Sequence, residues 1–486
     1  MPRFSLQRWT QKNRLPFAQL VALDLRSLGL FRIALGSLIL IDLCLRAQDL
    51  VAHYTDSGVL PIDQVPIGNR FAYYLAPHFL ANTPTEVGAL FIVAGLAALA
   101  LAIGFRTQWM IVLSWILLQS LQTRNPLINH AGDKILLLML FWGFFLPLDR
   151  SFRLFPSASP TSESDKEKKT DSSLLVASWA TAGALLQFAS IYLMGAFRKS
   201  GATWWDGSAV WYTLQIDQYA RPWTRALLDA PHFLRGVTWI TLAIEWIAPI
   251  LLFTGTGSLR RTGVILIMLL HIGFLTCLDL GLFPYISIAL CVFAFPWVNR
   301  NQADSNPVTI LPLDTRTRVA GYLTLALLIW NLATLRWYPE EIKETIPSPL
   351  RSAIEFVRLD QYWSMFAPNP MTFDGWYVIT EADENADEGV NLLETSNPSI
   401  WEKPVAVAET FPSDRWKEYL MTLSDMGDPP QLWKNVVTHF SERYNRNAPS
   451  PVNVDRLRVV YMMEKSTVRG EAVPVPEQAW PKEDSF

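Results

Sequence analysis

Charge is scarce in this sequence, and so is cysteine. Only 17% of the 486 residues are charged, and the formal net charge is −3. That leaves no basic surface for a nucleic-acid partner. The three cysteines, Cys44, Cys277 and Cys291, all lie in apolar segments. They read as small buried residues, and neither a disulfide framework nor a metal cluster is expected of them. No Cys-X-X-Cys or His-Glu-X-X-His spacing occurs, so no metal is expected. The chain also lacks an internal repeat and paired broken helices, which ranks a transporter last among the functional classes. The N-terminus is basic and interrupted by Pro16, without the apolar core of a cleavable signal directly behind it.

Hydrophobic residues make up 50% of the chain and mean hydropathy is +0.18. Nine separate apolar runs lie near 28–45, 87–105, 108–122, 133–149, 174–197, 236–254, 262–279, 281–298 and 317–336. A helix needs about 20 apolar residues to cross a bilayer, so these runs predict an all-α polytopic membrane bundle. The 20 tryptophans suit the two interfacial belts of such a protein. The run at 108–122 is short and carries Gln108, Gln119 and Gln122, and its loss would invert everything after it.

Charge pattern then sets orientation. Arg3, Arg8, Lys12, Arg14 and Arg26 precede the first run, Arg150, Arg153, Lys166, Lys168 and Lys169 follow the fourth, and Arg260 and Arg261 follow the sixth. With nine spans all three clusters fall on one side, which the positive-inside rule assigns to the cytoplasm. The C-terminus is then outside. Unpaired cysteines and the lack of eukaryotic targeting point to a bacterial inner membrane. Segment 157–173 is polar and of low complexity, and is expected to be a disordered cytoplasmic loop within a membrane domain of residues 1–338. Residues 339–470 read as a small extracytoplasmic α+β domain. It has strand-like runs at 362–379 and 455–463 and helical spacing from Asp414 and Gln431. The Pro-bearing tail, 471–486, is expected to be disordered.

Chemistry concentrates where the fifth run ends. Arg198 and Lys199 are followed by Trp204, Trp205 and Trp211. Two roles stand open for the cations. They anchor the helix end by snorkelling, or desolvation against the indoles favours the neutral amine of Lys199, the form that works as a base. Glu245 and His271 lie in mid-span, where ionisable groups face the interior and find partners. A direct Glu245–His271 contact is the simplest way to satisfy both. Asn129-His130 and Asp133 lie at the start of the fourth run, where Asp133 suits a helix N-terminus.

Six stretches in one order carry a family resemblance: FRIALGSLILIDLCLRAQDL with YTDSGVLP, RNPLINHAGDKILLLMLFWGFFLPLD, YLMGAFRKSGATWWDG with LQIDQYARP, AIEWIAPILL, HIGFLTCLDLGLFPY, and DQYWSMFAPNP with DGWYVI. They resemble the HTTM (horizontally transferred transmembrane) proteins, which are similar to vitamin K-dependent γ-glutamyl carboxylase. In the carboxylase, a membrane-embedded lysine deprotonates reduced vitamin K. Oxygenation of the quinol then yields a strong base that removes a glutamate γ-proton, and CO2 adds. The resemblance places the lysine's role on Lys199, within RKSGATWWDG, although the first member of the pair is Arg198 here. It implies an assisting role for His130 and puts Tyr285 at the border of a pocket for reduced vitamin K or another quinol, which the enzyme reading lines further with Trp204, Trp205, Glu245 and His271. The partners expected with that reading are the lipid bilayer and a protein or peptide substrate on the extracytoplasmic side, although the chain shows no recognisable propeptide-binding region. The alternative is a non-catalytic membrane module that binds a lipid, a quinone or a partner protein.

Overall fold

The computed structural model describes residues 17–481 except 67, 69, 155–173, 256, 298–307, 337–344, 361–362, 382–388, 394–399, 447, 449, 468–469 and 472–473. The expected polar loop at 157–173 lies outside the described residues. Each of the nine apolar runs holds a helix: α1 (Leu25–Ala47), α2 (Pro84–Ile103), α3 (Thr107–Arg124), α4 (Ala131–Phe145), α5 (Trp179–Arg198), α6 (Pro231–Leu251), α7 (Ser258–Cys277), α8 (Phe283–Ala294) and α9 (Thr315–Arg336). Among the described residues, five of them, α1, α2, α5, α6 and α7, are long and apolar enough to cross a membrane. The chain is thus a mostly helical, multi-pass membrane protein with a small C-terminal sheet.

Local chemistry sets bounds that apolar runs alone do not. His130 and Asp133 form a capping box that starts α4 at Ala131, and Pro147 follows its end, leaving 15 residues. Pro284 and Pro296 bracket α8 and leave it 12 residues. The fifth run was expected to be helical from 174, but Leu175–Ala177 is strand β2, and a Ser178–Thr181 capping box starts α5 after it. Strand β1 (Leu23–Asp24) pairs antiparallel with β2, and β2 pairs parallel with β3 (Val308–Ile310). This small sheet ties together the chain just ahead of α1, α5 and α9.

The C-terminal part holds α10 (Ser348–Phe356), β4 (Phe373–Thr380), α11 (Asp414–Asp425), α12 (Pro430–Asn445), β5 (Arg458–Thr467), β6 (Gly470–Glu471) and β7 (Val475–Trp480). β5 pairs antiparallel with β4 on one side and with β7 on the other. Trp433 packs against Tyr377 of β4 between sheet and helices, Trp416 packs on Phe440 and on His53 of the bundle, and Trp376, Trp416 and Trp433 are fully buried. The tail expected to be disordered from 471 is ordered over 475–480, because β7 is an edge strand and an edge tolerates Pro476. Gln218 and Asp217, from the loop after α5, bond Gly375 and Asp374 of β4 and join this domain to the bundle.

Burial, followed by the nearby Asp217 carboxylate, pushes the Asp374 acid up to about 7 from 3.8. An acid raised on folding favours the protonated native state. Its contribution is therefore whole below the unfolded value and is lost as pH rises through about 7. In metal-free buffer the unfolding temperature is expected to fall between pH 5 and pH 8, and Asp374→Asn to flatten that fall. The ceiling on the difference is roughly 4 kcal/mol. Tryptophan-fluorescence melts in detergent measure it.

Candidate functional site

The C-terminal end of α5 delivers Lys199 to the wall of a cavity of about 880 Å³. That volume lies within the range of pockets that enclose a lipid-sized organic ligand. Its wall is almost entirely apolar, from α5, α6, α7 and the segment Trp363–Phe366. Lys199 is only 5% exposed. Its Nζ donates to Glu245 Oε1 at 3.0 Å and Oε2 at 2.7 Å, and lies 5.1 Å from the Trp204 ring centroid. A cation that merely anchored a helix end would reach outward for headgroups, whereas this one turns inward.

His271 is also on the wall, where its Nε2 and the Tyr192 hydroxyl are 2.8 Å apart. The expected Glu245–His271 contact does not form. Both partners come from α5, which packs against α6: a buried carboxylate gains more from an ammonium than from an imidazole, so Lys199 takes Glu245 and Tyr192 takes His271.

Lys199, Trp204, Glu245 and His271 therefore come together on one cavity wall, and three other expected residues do not join them. His130 caps α4: its Nδ1 accepts from the Gly132 N–H at 3.0 Å, and its backbone N–H donates to Asp133 at 2.9 Å. Its neighbour Ala131 lines the cavity in its place. Trp205 is 64% exposed, and Tyr285, on α8, is 47% exposed. Neither is part of the wall.

Two wall features escaped the sequence. Lys134 donates to Asp360 Oδ2 at 2.8 Å and lies 4.9 Å from the Trp363 centroid, repeating the lysine, acid and indole grouping around Lys199. Its signal is a lysine in the first turn of a helix, where the macrodipole disfavours a cation and a partner is needed. The other feature is the roof. Trp204 Nε1 donates to the Phe366 carbonyl at 2.9 Å, and Gly201 N–H to the Pro368 carbonyl at 3.0 Å. Asn369 Oδ1 accepts from the Thr203 N–H at 3.2 Å and hydroxyl at 2.8 Å. The turn 363–370 is thus clamped over the lysine's loop.

Gly201 makes that clamp possible. A Cβ there would come within 2.1 Å of Asn369 Oδ1. Gly201→Ala is expected to lift the roof at a cost of about 1–3 kcal/mol. Faster proteolysis between residues 363 and 370 than in the parent would register it.

The cavity also reaches the protein's flank. Ile240 on α6 and Leu269 on α7 line it and are 61% and 55% exposed.

No curated protein and no solved structure matches the chain. The HTTM domain family matches residues 21–297. That stretch holds α1 to α8, the Lys199–Glu245 pair and most of the cavity wall. With more than half of its length so matched, the chain belongs to the HTTM family.

Proposed function

We propose that this chain is a carboxylase-like membrane enzyme in which Lys199 takes a proton from a reduced, lipid-soluble quinone such as reduced vitamin K. The observation that carries the reading is the Lys199–Glu245 pair, buried on the wall of a large apolar cavity. A bound quinol supplies an acidic hydroxyl and, with oxygen, the oxidising power that these side chains lack. The residues present fit it. Aromatic and aliphatic walls accept a ring and an isoprenoid chain, and the few polar groups sit where they can orient a head.

Lys199 must be a free amine to work as a base. Glu245 can take its proton across 2.7 Å, which leaves a pair neutral overall and suited to a dry wall. Trp204 keeps the resulting ammonium in place through its ring face. Tyr192 and His271 give the wall a second site that both donates and accepts. His130 and Asp133 fix the start of α4 and so hold Lys134 on the wall. The roof 363–370 excludes water, and the flank between Ile240 and Leu269 lets a hydrophobic molecule in from the bilayer.

The same reading has nine crossings, with the N-terminus in the cytoplasm of a bacterium and the C-terminal domain outside, beside a glutamate-bearing protein or peptide. The three-stranded sheet supports it. α1, α5 and α9 all start from that sheet, as an even number of crossings between them requires.

The test is label incorporation. Purified protein in nanodiscs receives vitamin K hydroquinone, oxygen, a glutamate-containing peptide and isotopic bicarbonate. Label in the peptide is expected. Quinol oxidation without label would keep the quinol and discard the peptide. If neither occurs and quinone leaves the melting temperature unchanged, the enzyme reading fails and a non-catalytic binding module replaces it.

A further inference from the structure

Three acidic side chains meet away from Lys199, at the seam between the bundle and the C-terminal sheet. Asp217 follows Thr213 and Leu214, at the end of a short helix, which line the cavity. Asp374 is on β4 and Glu464 on β5. A carboxylate oxygen of each lies within 4.8 Å of the others, and all three residues are buried. Asp374 and Glu464 are also direct partners across the antiparallel ladder. Like charges placed opposite each other destabilise a strand pair unless a cation sits between them.

The cations present do not satisfy the cluster. Lys403 Nζ bonds Asp217 Oδ2 at 2.5 Å and also reaches Glu464 Oε1. Arg225 bonds Asp217 Oδ1 at 3.0 Å. Neither interaction takes Asp374. One oxygen of Asp374 accepts the Asp217 N–H, while Oδ1 is buried with no hydrogen-bond partner among the described residues, in a residue only 2% exposed. A buried acceptor left unmade is destabilising in itself, and more so on a carboxylate.

We propose that Asp217, Asp374 and Glu464 bind a hard divalent cation, calcium, which enters as the Lys403 ammonium swings out. The donor set is all oxygen, which selects calcium or magnesium over softer metals. Calcium takes roughly six to eight oxygens in flexible geometry. The carboxylates supply several, and a small pocket beside them, edged by Gln215 and Ser466, has room for a water. Lys403 is more exposed than the acids it bridges, sits on a long flexible stem, and lines the pocket beside them. Leu214 lines both that pocket and the large cavity, so the ion fastens the cavity wall to the C-terminal sheet. Nothing in this assignment depends on quinol chemistry.

Full-length protein in detergent, stripped with chelator, is titrated with terbium at constant ionic strength. The Tyr461 ring, whose hydroxyl is 3.1 Å from Gln218 Nε2, is positioned to sensitise the luminescence. Saturable emission is expected, displaced by calcium at lower concentration than by magnesium. Asp374→Asn is expected to weaken binding at least tenfold, with Glu464→Gln as the second variant should the first not fold. Lys403→Met is expected to tighten it, because the competing ammonium is gone. Emission unchanged in both acid variants would place the ion elsewhere and overturn the assignment. So would the absence of saturable emission in both the parent and Lys403→Met, which would leave Lys403 as the cluster's own permanent cation.

Discussion

Lys199→Arg is expected to fold, to keep the pair with Glu245, and to lose quinol-dependent turnover. An arginine retains the positive charge and binds a carboxylate through two parallel bonds, but it does not give up its proton in a protein. Removal of a positioned base costs about 10²–10⁴-fold in rate. Lys199→Ala should lose turnover as well, but it confounds two effects. It strands Glu245, 6% exposed, without its partner. Breaking a buried pair by removing one side destabilises by about 3–5 kcal/mol. Replacing both members with apolar residues, Lys199→Met with Glu245→Leu, is expected to restore the melting temperature to near that of the parent, since buried pairs are commonly neutral against well-packed hydrophobic residues. Turnover should stay absent. The three variants therefore separate stability from chemistry: melts follow the pairing of Glu245, and turnover follows the amine. Turnover that survives in Lys199→Arg would make Lys199 a structural cation and remove it from the mechanism.

The sequence shows this much of the site because its two most conspicuous residues break local rules. An acid in the middle of an apolar run, Glu245, must face the interior, and a lysine followed by indoles, Lys199, marks a boundary. What it does not show is which acid meets which base. Glu245 meets Lys199 and not His271 although α6 packs against both α5 and α7, because pairing across helices depends on crossing geometry that no window of residues encodes. The same limit hides the Asp217, Asp374 and Glu464 cluster, whose members come from a loop, β4 and β5. A motif search looks for short spacings, and here the spacing is set by a strand ladder. Helix positions were legible for the opposite reason, since an apolar run is a local property. Their ends were less so: α4 stops at Phe145 ahead of Pro147, short of its apolar run, and capping by Ser178 starts α5 later than its run begins. β7 was missed because prolines that mark a disordered tail are equally at home on a sheet edge.

Arg415→Ala is expected to destabilise the junction between the C-terminal domain and the bundle by about 3–5 kcal/mol. Arg415, on α11, inserts between α1 and α4. Its Nη1 donates to Asp133 Oδ2 at 2.6 Å and to the Ile128 carbonyl at 2.8 Å, and its Nη2 donates to Asp42 Oδ1 at 2.7 Å. Arg46 bridges the same two acids from the other side, at 2.8 Å to Asp42 and 2.5 Å to Asp133. Two arginines and two aspartates thus close a square with every member buried. Loss of Arg415 leaves two carboxylates to one guanidinium, in a place water does not reach. Arg415→Lys should recover part of the loss, because one ammonium keeps the charge but does not reach three acceptors in a fixed fork. Chemical unfolding followed by tryptophan fluorescence gives the size. A loss below about 1 kcal/mol would assign the junction to the packing of Trp416 and Tyr419 instead. The effect should also extend beyond the junction. Asp133 holds the start of α4, and Lys134 beside it lines the cavity, so loosening the square should weaken binding of any cavity ligand. A quinone-induced rise in melting temperature that is smaller in Arg415→Ala than in the parent, while Lys403→Met keeps the full rise, would trace that coupling through α4.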